Sequence, residues 1–276
     1  MRRLVLLVLP VVVAVVVTTS TGQAARQGIT GSGCSVSVPG YLTDLAKAYQ
    51  RESGIPVVVL GGGSILGLKD LREGRTDFAA SCMSKQPTDP AEFTFITAAW
   101  DALVFIAHRS NPVQSITAAQ VRDIYQGRLN NWRALGGPDL GLVSVMSTTE
   151  GMGGVGESLT RLVLKGMPPT PQPYSSMQAS SAAIWEQVVE TTPAAFATTG
   201  FASARKRNVK MLQVNGVSPT KETIISNAYP FRRPLYLVIN SKTASAEVRR
   251  FVDYVLSVKG QAFISSLGIP SLHDVR

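Results

Sequence analysis

Apolar positions along this chain recur in two rhythms, every second residue in some stretches and every third or fourth in others, which predicts strand and helix in turn. Strands are expected at 55–60, 77–81, 103–107, 142–146, 209–214 and 235–239. Helices are expected at 42–51, 65–73, 117–125, 155–164, 179–190 and 220–226, with one or two more over 244–267. Thr117 is placed to cap the third of these. Strand and helix alternate through most of the chain, an order that builds mostly parallel sheets covered by helices, an α/β fold. No internal repeat and no long low-complexity linker interrupts it.

The first segment departs from both rhythms. Met1-Arg2-Arg3 precedes an almost wholly apolar run from Leu4 to Val17, and Thr21-Gly22-Gln23-Ala24-Ala25 offers small residues for cleavage after Ala24 or Ala25. That pattern reads as a signal peptide over 1–25. The apolar run falls short of the about 20 residues that a membrane span needs. Export to the periplasm or beyond the cell is therefore expected. The remaining 250 or so residues suffice for one large domain or two smaller ones. Lys+Arg 27 against Asp+Glu 18 gives a net charge of +9, and removal of Arg2 and Arg3 would leave +7. The basic residues are scattered, without the clustered arginines and aromatics of a nucleic-acid surface, so anionic solutes or surfaces are the expected partners.

Candidate chemistry concentrates in three glycine-serine turns, each opening a helical stretch: Gly31-Ser32-Gly33-Cys34-Ser35, Gly61-Gly62-Gly63-Ser64 and Glu150-Gly151-Met152-Gly153-Gly154. Such a turn lets the backbone approach a ligand and aims unpaired N–H groups at an anion, and three together can surround one small oxyanion. Taken singly, each also reads as simple punctuation between strand and helix. Enzyme chemistry finds little support. The only histidines, His108 and His273, lack convincing neighbours, no nucleophile elbow stands at a strand-to-helix junction, and the turns lack P-loop and dinucleotide spacing. The expectation is a binding protein without a cofactor and without catalysis.

A family resemblance runs over nearly the whole mature chain. Its carriers include Gly31-Ser32-Gly33, Gly61-Gly62-Gly63-Ser64 with Leu68-Lys69-Asp70-Leu71, and Gly74-Arg75-Thr76-Asp77-Phe78-Ala79-Ala80-Ser81. They continue with Ser110-Asn111-Pro112-Val113, Leu129-Asn130-Asn131-Trp132, Tyr229-Pro230, Arg233-Pro234-Leu235-Tyr236 and the helical segment Phe251-Val252-Asp253-Tyr254-Val255-Leu256-Ser257. In number and order these resemble the substrate-binding proteins of phosphate-type ABC transporters. The resemblance implies a two-lobed, type 2 periplasmic-binding-protein fold with mixed, mostly parallel sheets flanked by helices. Lobe 1 would comprise 26–107 plus 235–276 and lobe 2 would comprise 108–234. It also implies a small anionic ligand in the cleft between them and an ABC transporter permease as membrane partner.

The binding turns depart from the family's phosphate pattern. The resemblance assigns ligand contacts to Gly33, Cys34, Ser35, Gly63, Ser64, Ser81, Cys82, Thr148, Gly151, Met152, Gly153 and Gly154. Thr148 stands where relatives carry an arginine, Met152 where they carry serine and Gly154 where they carry threonine. A bidentate guanidinium on a buried anion contributes more than a neutral hydroxyl, so the arginine is the costliest of these losses. Cys82 replaces an aspartate or arginine, and Cys34 replaces threonine or a small residue. The fold implied by the resemblance brings both cysteines to the cleft. Three readings of the pair stand open: a structural disulfide adding about 4 kcal/mol, two inert buried thiols, or a soft-ligand site in which Cys34 and Cys82, with Met83 or Met152, hold Cu(I), another thiophilic metal or trivalent arsenic. A second functional expectation follows from the missing ligands, that of a sensory or interaction component that keeps the fold and has lost phosphate binding. Its partner would be a membrane sensor.

Overall fold

The computed structural model describes residues 28–147, 153–179 and 181–275. In chain order it contains β1 (Ile29–Gly33), α1 (Thr43–Ser53), β2 (Val57–Gly61), α2 (Ser64–Arg72), β3 (Phe78–Ser81), β4 (Phe93–His108), β5 (Ser115–Ile116) and α3 (Ala118–Tyr125). These are followed by β6 (Val143–Ser147), α4 (Gly154–Ser158), β7 (Ser176–Ala179), α5 (Ala182–Thr191), β8 (Ala195–Gly200), α6 (Phe201–Ala204), β9 (Val209–Met211) and β10 (Gln213–Val214). The chain closes with α7 (Lys221–Ile225), β11 (Arg232–Asn240), α8 (Ala246–Leu256) and α9 (Val258–Ser266).

The main sheet runs β2-β1-β3-β11-β4-β8-β6-β7, with β9 also on β4. Its pairings are parallel towards both ends and antiparallel in the middle, where β11 lies against β3 and β4, and β4 against β8 and β9. The sheet is therefore mixed, with helices flanking it. The sixteen-residue β4 serves both halves: Phe93 to Ala102 pair with β11, and Leu103 to Ala107 pair with β8. Only the second half is predicted from hydrophobic pattern. Ala98, Ala99 and Asp101 break the apolar alternation before it, and pairing with β11 overrides their weak strand preference. β8 was also missed. All six of its residues are buried, so it lacks the alternation that marks a half-buried strand.

Local signals set several element ends. The side chain of Thr117 accepts from Gln120 N–H and the Gln120 side chain accepts from Thr117 N–H, a reciprocal cap that starts α3 where expected. The expected helical stretch 244–267 is two helices. Ser257 is extended, and its hydroxyl accepts from Gly260 N–H, so one residue ends α8 and caps α9. Two aromatic groups anchor the core. Phe251 of α8 packs on Tyr49 of α1 and Phe78 of β3, while Phe196 of β8 meets Phe105, Tyr125 and Trp132. Among the described residues no helix is long and apolar enough to cross a membrane. The predicted signal segment 1–25 lies outside them.

Candidate functional site

Backbone close approach builds the site. β1 ends at Gly33, whose φ of +139° suits glycine and whose Cβ, were it present, would lie 2.1 Å from the Ala80 carbonyl oxygen. Cys34 follows and its N–H donates to that same oxygen at 2.8 Å. Gly63 N–H donates to Gly33 C=O at 2.9 Å, and a Cβ on Gly67 would meet Ser32 O and Gly33 Cα at 2.6 Å. The first turn of α2 thus rests directly on the end of β1. This seats Ser64, whose hydroxyl accepts Cys82 N–H at 3.1 Å and lies 3.6 Å from Cys82 Sγ. From the opposite side comes the start of α4, where a Cβ on Gly154 would stand 2.4 Å from Cys82 Sγ and 2.8 Å from Ser64 Oγ.

Behind these turns lies a buried charged group that sequence reasoning missed. Arg233 of β11 and Asp101 of β4 are 1% and 0% exposed, and both Nε and Nη2 of the arginine donate to Asp101 Oδ2, at 3.0 and 2.9 Å. Arg233 Nη1 donates to Gly154 C=O at 3.1 Å and Ser158 Oγ at 3.2 Å, while Asp101 Oδ1 accepts Ala202 N–H at 2.9 Å. One ion pair therefore ties β4, β11, α4 and α6 together. The available signal was a lone charge inside each strand: Asp101 just before an unbroken apolar run, Arg233 just before Pro234-Leu235. A charge inside a buried strand calls for a partner.

Cys34 and Cys82 are free thiols, both buried, and they follow directly on the paired strands β1 and β3. The disulfide reading is not what the structure contains. Burial pushes the Cys34 thiol up, but the Cys82 hydrogen bond and the Arg233 guanidinium outweigh it and bring it down to about 6. Cys82 moves the other way. It supplies the shared proton, is itself buried and faces the Cys34 sulfur, so its ionisation is held well above the usual thiol range. The pair behaves as one dithiol that loses its first proton readily and keeps its second. Burial also raises Asp101 above the usual carboxylate range despite the arginine. For Arg233 burial acts downwards, and Cys82, Asp101 and Cys34 more than offset it.

Between the turns is a cavity of about 30 Å³, walled by Ser35, Ser64, Cys82 and Gly153 to Val155, with Ser181 and Trp185 closing it. Among the described residues no charged one lines it. Of the predicted contacts, Ser35, Gly63, Ser64, Cys82, Gly153 and Gly154 meet at this cavity, with Gly33 and Cys34 directly behind. Ser81 stands apart: its hydroxyl donates to Met83 C=O and accepts Met83 N–H, both at 3.0 Å, closing its own turn. Met83 lines a separate surface groove with Ile65, Glu157 and Arg161. Thr148, Gly151 and Met152 lie outside the described residues. Among the described residues no group of three or more metal-ligating side chains gathers. Trp185, expected in a core or on a lobe surface, is a wall of the cavity, held by its N–H donating to Ala179 C=O at 2.9 Å.

Comparison with known proteins adds the following. Residues 18–259 match the family profile described as a PBP superfamily domain. The phosphate-binding protein PstS of Borreliella burgdorferi is 25% identical over 251 residues, covering 88% of this chain and 90% of that protein. A protein of Clostridium perfringens, described as a phosphate ABC transporter substrate-binding protein and solved with bound phosphate, superposes with a TM-score of 0.79 at 24% identity, covering 89% of this chain and 99% of that one. An ABC-type phosphate transport receptor from Vibrio cholerae superposes with a TM-score of 0.67 at 25% identity, covering 88% and 99%.

Proposed function

The chain belongs to the PBP superfamily, and from that premise we propose that it is an extracytoplasmic solute-binding protein that holds a small phosphate-like oxyanion for an ABC transporter. The observation that carries this is the meeting of Ser35, Ser64 and Gly153 to Val155, from three separate turns, around one small cavity. Hydroxyls of Ser35 and Ser64 and the first-turn N–H groups of α2 are the donors on offer, since the opening N–H groups of a helix have no partner within it. In this reading lobe 1 is 26–107 plus 235–276 and lobe 2 is 108–234, with β4, which pairs first with β11 and then with β8, leading from one to the other. Opening and closing about that crossing would report occupancy to the membrane partner.

The chemistry of the walls sets what such a cavity favours. Arg233, the cation beside it, is already paired with Asp101 and faces Gly154 and Ser158. A dianion entering here meets neutral donors only, and loses the charge-assisted contacts worth about 1.5–3 kcal/mol each. Weaker binding than in an arginine-bearing relative, or selection of a less charged oxyacid, follows. Calorimetric titration and thermal shift with phosphate, sulfate, molybdate, arsenate and phosphonates test the proposal. Heat and a raised Tm with at least one of them are expected; no response to any would overturn it.

A further inference from the structure

We propose that Cys34 and Cys82 form a dithiol site for a trivalent oxyacid of arsenic or antimony, captured at the cavity by exchange of two hydroxyls for two sulfurs. This rests on the solute-binding reading only in taking the cavity as the place where solute enters. Three features of the site carry it. The two sulfurs are not joined, and their residues follow directly on the paired strands β1 and β3, Cys34 after Gly33 and Cys82 after Ser81. Cys82 lines the cavity, and Cys34 sits directly behind it. Among the described residues the walls carry no charge, and the trivalent acid is uncharged at neutral pH, so its entry needs no compensating cation.

The exchange balances without an oxidant or reductant. Arsenous acid, As(OH)3, reacts with the two thiols to give a dithiolate that keeps one As–OH. Each thiol proton leaves with one hydroxyl as water, two S–As bonds replace two As–O bonds, and arsenic stays trivalent. Thiolate is the attacking form, and the Arg233 guanidinium beside both sulfurs favours it. Ser64 Oγ, 3.6 Å from Cys82 Sγ, is placed to hydrogen-bond the retained hydroxyl. Geometry separates this ligand from a two-coordinate Cu(I). A linear ion holds its sulfurs two full metal–sulfur bonds apart, whereas a pyramidal centre bonds two sulfurs at a narrower span and keeps one hydroxyl for Ser64 Oγ to hold. With Met83 turned to the surface groove and no third ligand gathered among the described residues, the coordination a larger metal set would need is not assembled.

The test uses the full mature protein, kept ligand-free and titrated with sodium arsenite. One arsenic per chain is expected, with both thiols protected from alkylation and, in native mass spectrometry, an adduct equal to arsenous acid less two waters. Cys34→Ser and Cys82→Ser should each weaken arsenite binding at least a hundredfold. The protection and mass readouts are made on wild type, so they stand even if a variant fails to fold. An adduct that leaves either thiol reactive, equal affinity in the serine variants, or a protein isolated with the two sulfurs already bonded and resistant to dithiothreitol would overturn the proposal. The oxyanion titrations run alongside. Phosphate or arsenate binding without thiol protection by arsenite sinks this inference and leaves the solute-binding reading, while the opposite outcome keeps the dithiol site and removes the oxyanion.

Discussion

Replacing Arg233 by methionine removes the cation at the centre of the site while keeping its approximate bulk, and the consequences are large. Asp101, fully buried, loses both guanidinium contacts and retains only the Ala202 N–H at its other oxygen. Breaking a buried pair from one side costs about 3–5 kcal/mol, because an uncompensated charge remains inside. Against a usual total of about 5–15 kcal/mol, that is a fifth or more of the stability. Gly154 C=O and Ser158 Oγ lose a donor as well, which loosens the start of α4 over the cavity. Urea unfolding at pH 7 of wild type, Arg233→Met and the double variant Asp101→Leu/Arg233→Met measures the effect. The double variant should recover much of the loss, since two apolar groups need no partner. In parallel, thiolate absorbance followed against pH should show the Cys34 ionisation moving up from about 6. An Arg233→Met protein within about 1 kcal/mol of wild type, with an unmoved thiol titration, would refute the reading of this ion pair as the group that organises the site.

Three other outcomes follow from the same geometry. Because the Cys34 thiol ionises at about 6 when folded and near 8.5 when unfolded, its contribution to stability is full above the unfolded value and fades as pH falls through 6. The raised Cys82 thiol works in the opposite sense above about 8.5, so Tm of the reduced protein should rise from pH 6 to about 8.5, and this rise should vanish in Cys34→Ser. Gly154→Ala puts a methyl 2.4 Å from Cys82 Sγ; overpacking of about 1–3 kcal/mol should exceed the helix-propensity gain of about 1 kcal/mol, lowering Tm and arsenite uptake together. Ser257→Ala removes the shared stop and cap between α8 and α9 and should cost about 1 kcal/mol in urea unfolding, with no change in ligand titrations.

Hydropathy period, cap residues and turn glycines act over a few neighbouring positions, which is why the sequence alone determined most elements, the α/β class and the three turns. Thr117 and Gly63 announce their helix starts because the groups they satisfy are a turn away. Family motifs extended that reach to the two-lobed architecture and to Cys34 and Cys82 as neighbours across 48 residues of chain. Tertiary structure decided the rest. It made β8 a strand by burying it entirely, carried β4 through an alanine-rich middle because β11 pairs with it, and split 209–214 into β9 and β10 with different partners. It also turned Ser81 inward, sent Met83 to the surface and put Trp185 on the cavity wall. Most consequentially, it joined Asp101 to Arg233, 132 residues away, beneath the two thiols. No local pattern encodes that pairing: the energy of a buried charge depends on what the fold places opposite it, and so does the ionisation of the thiols above.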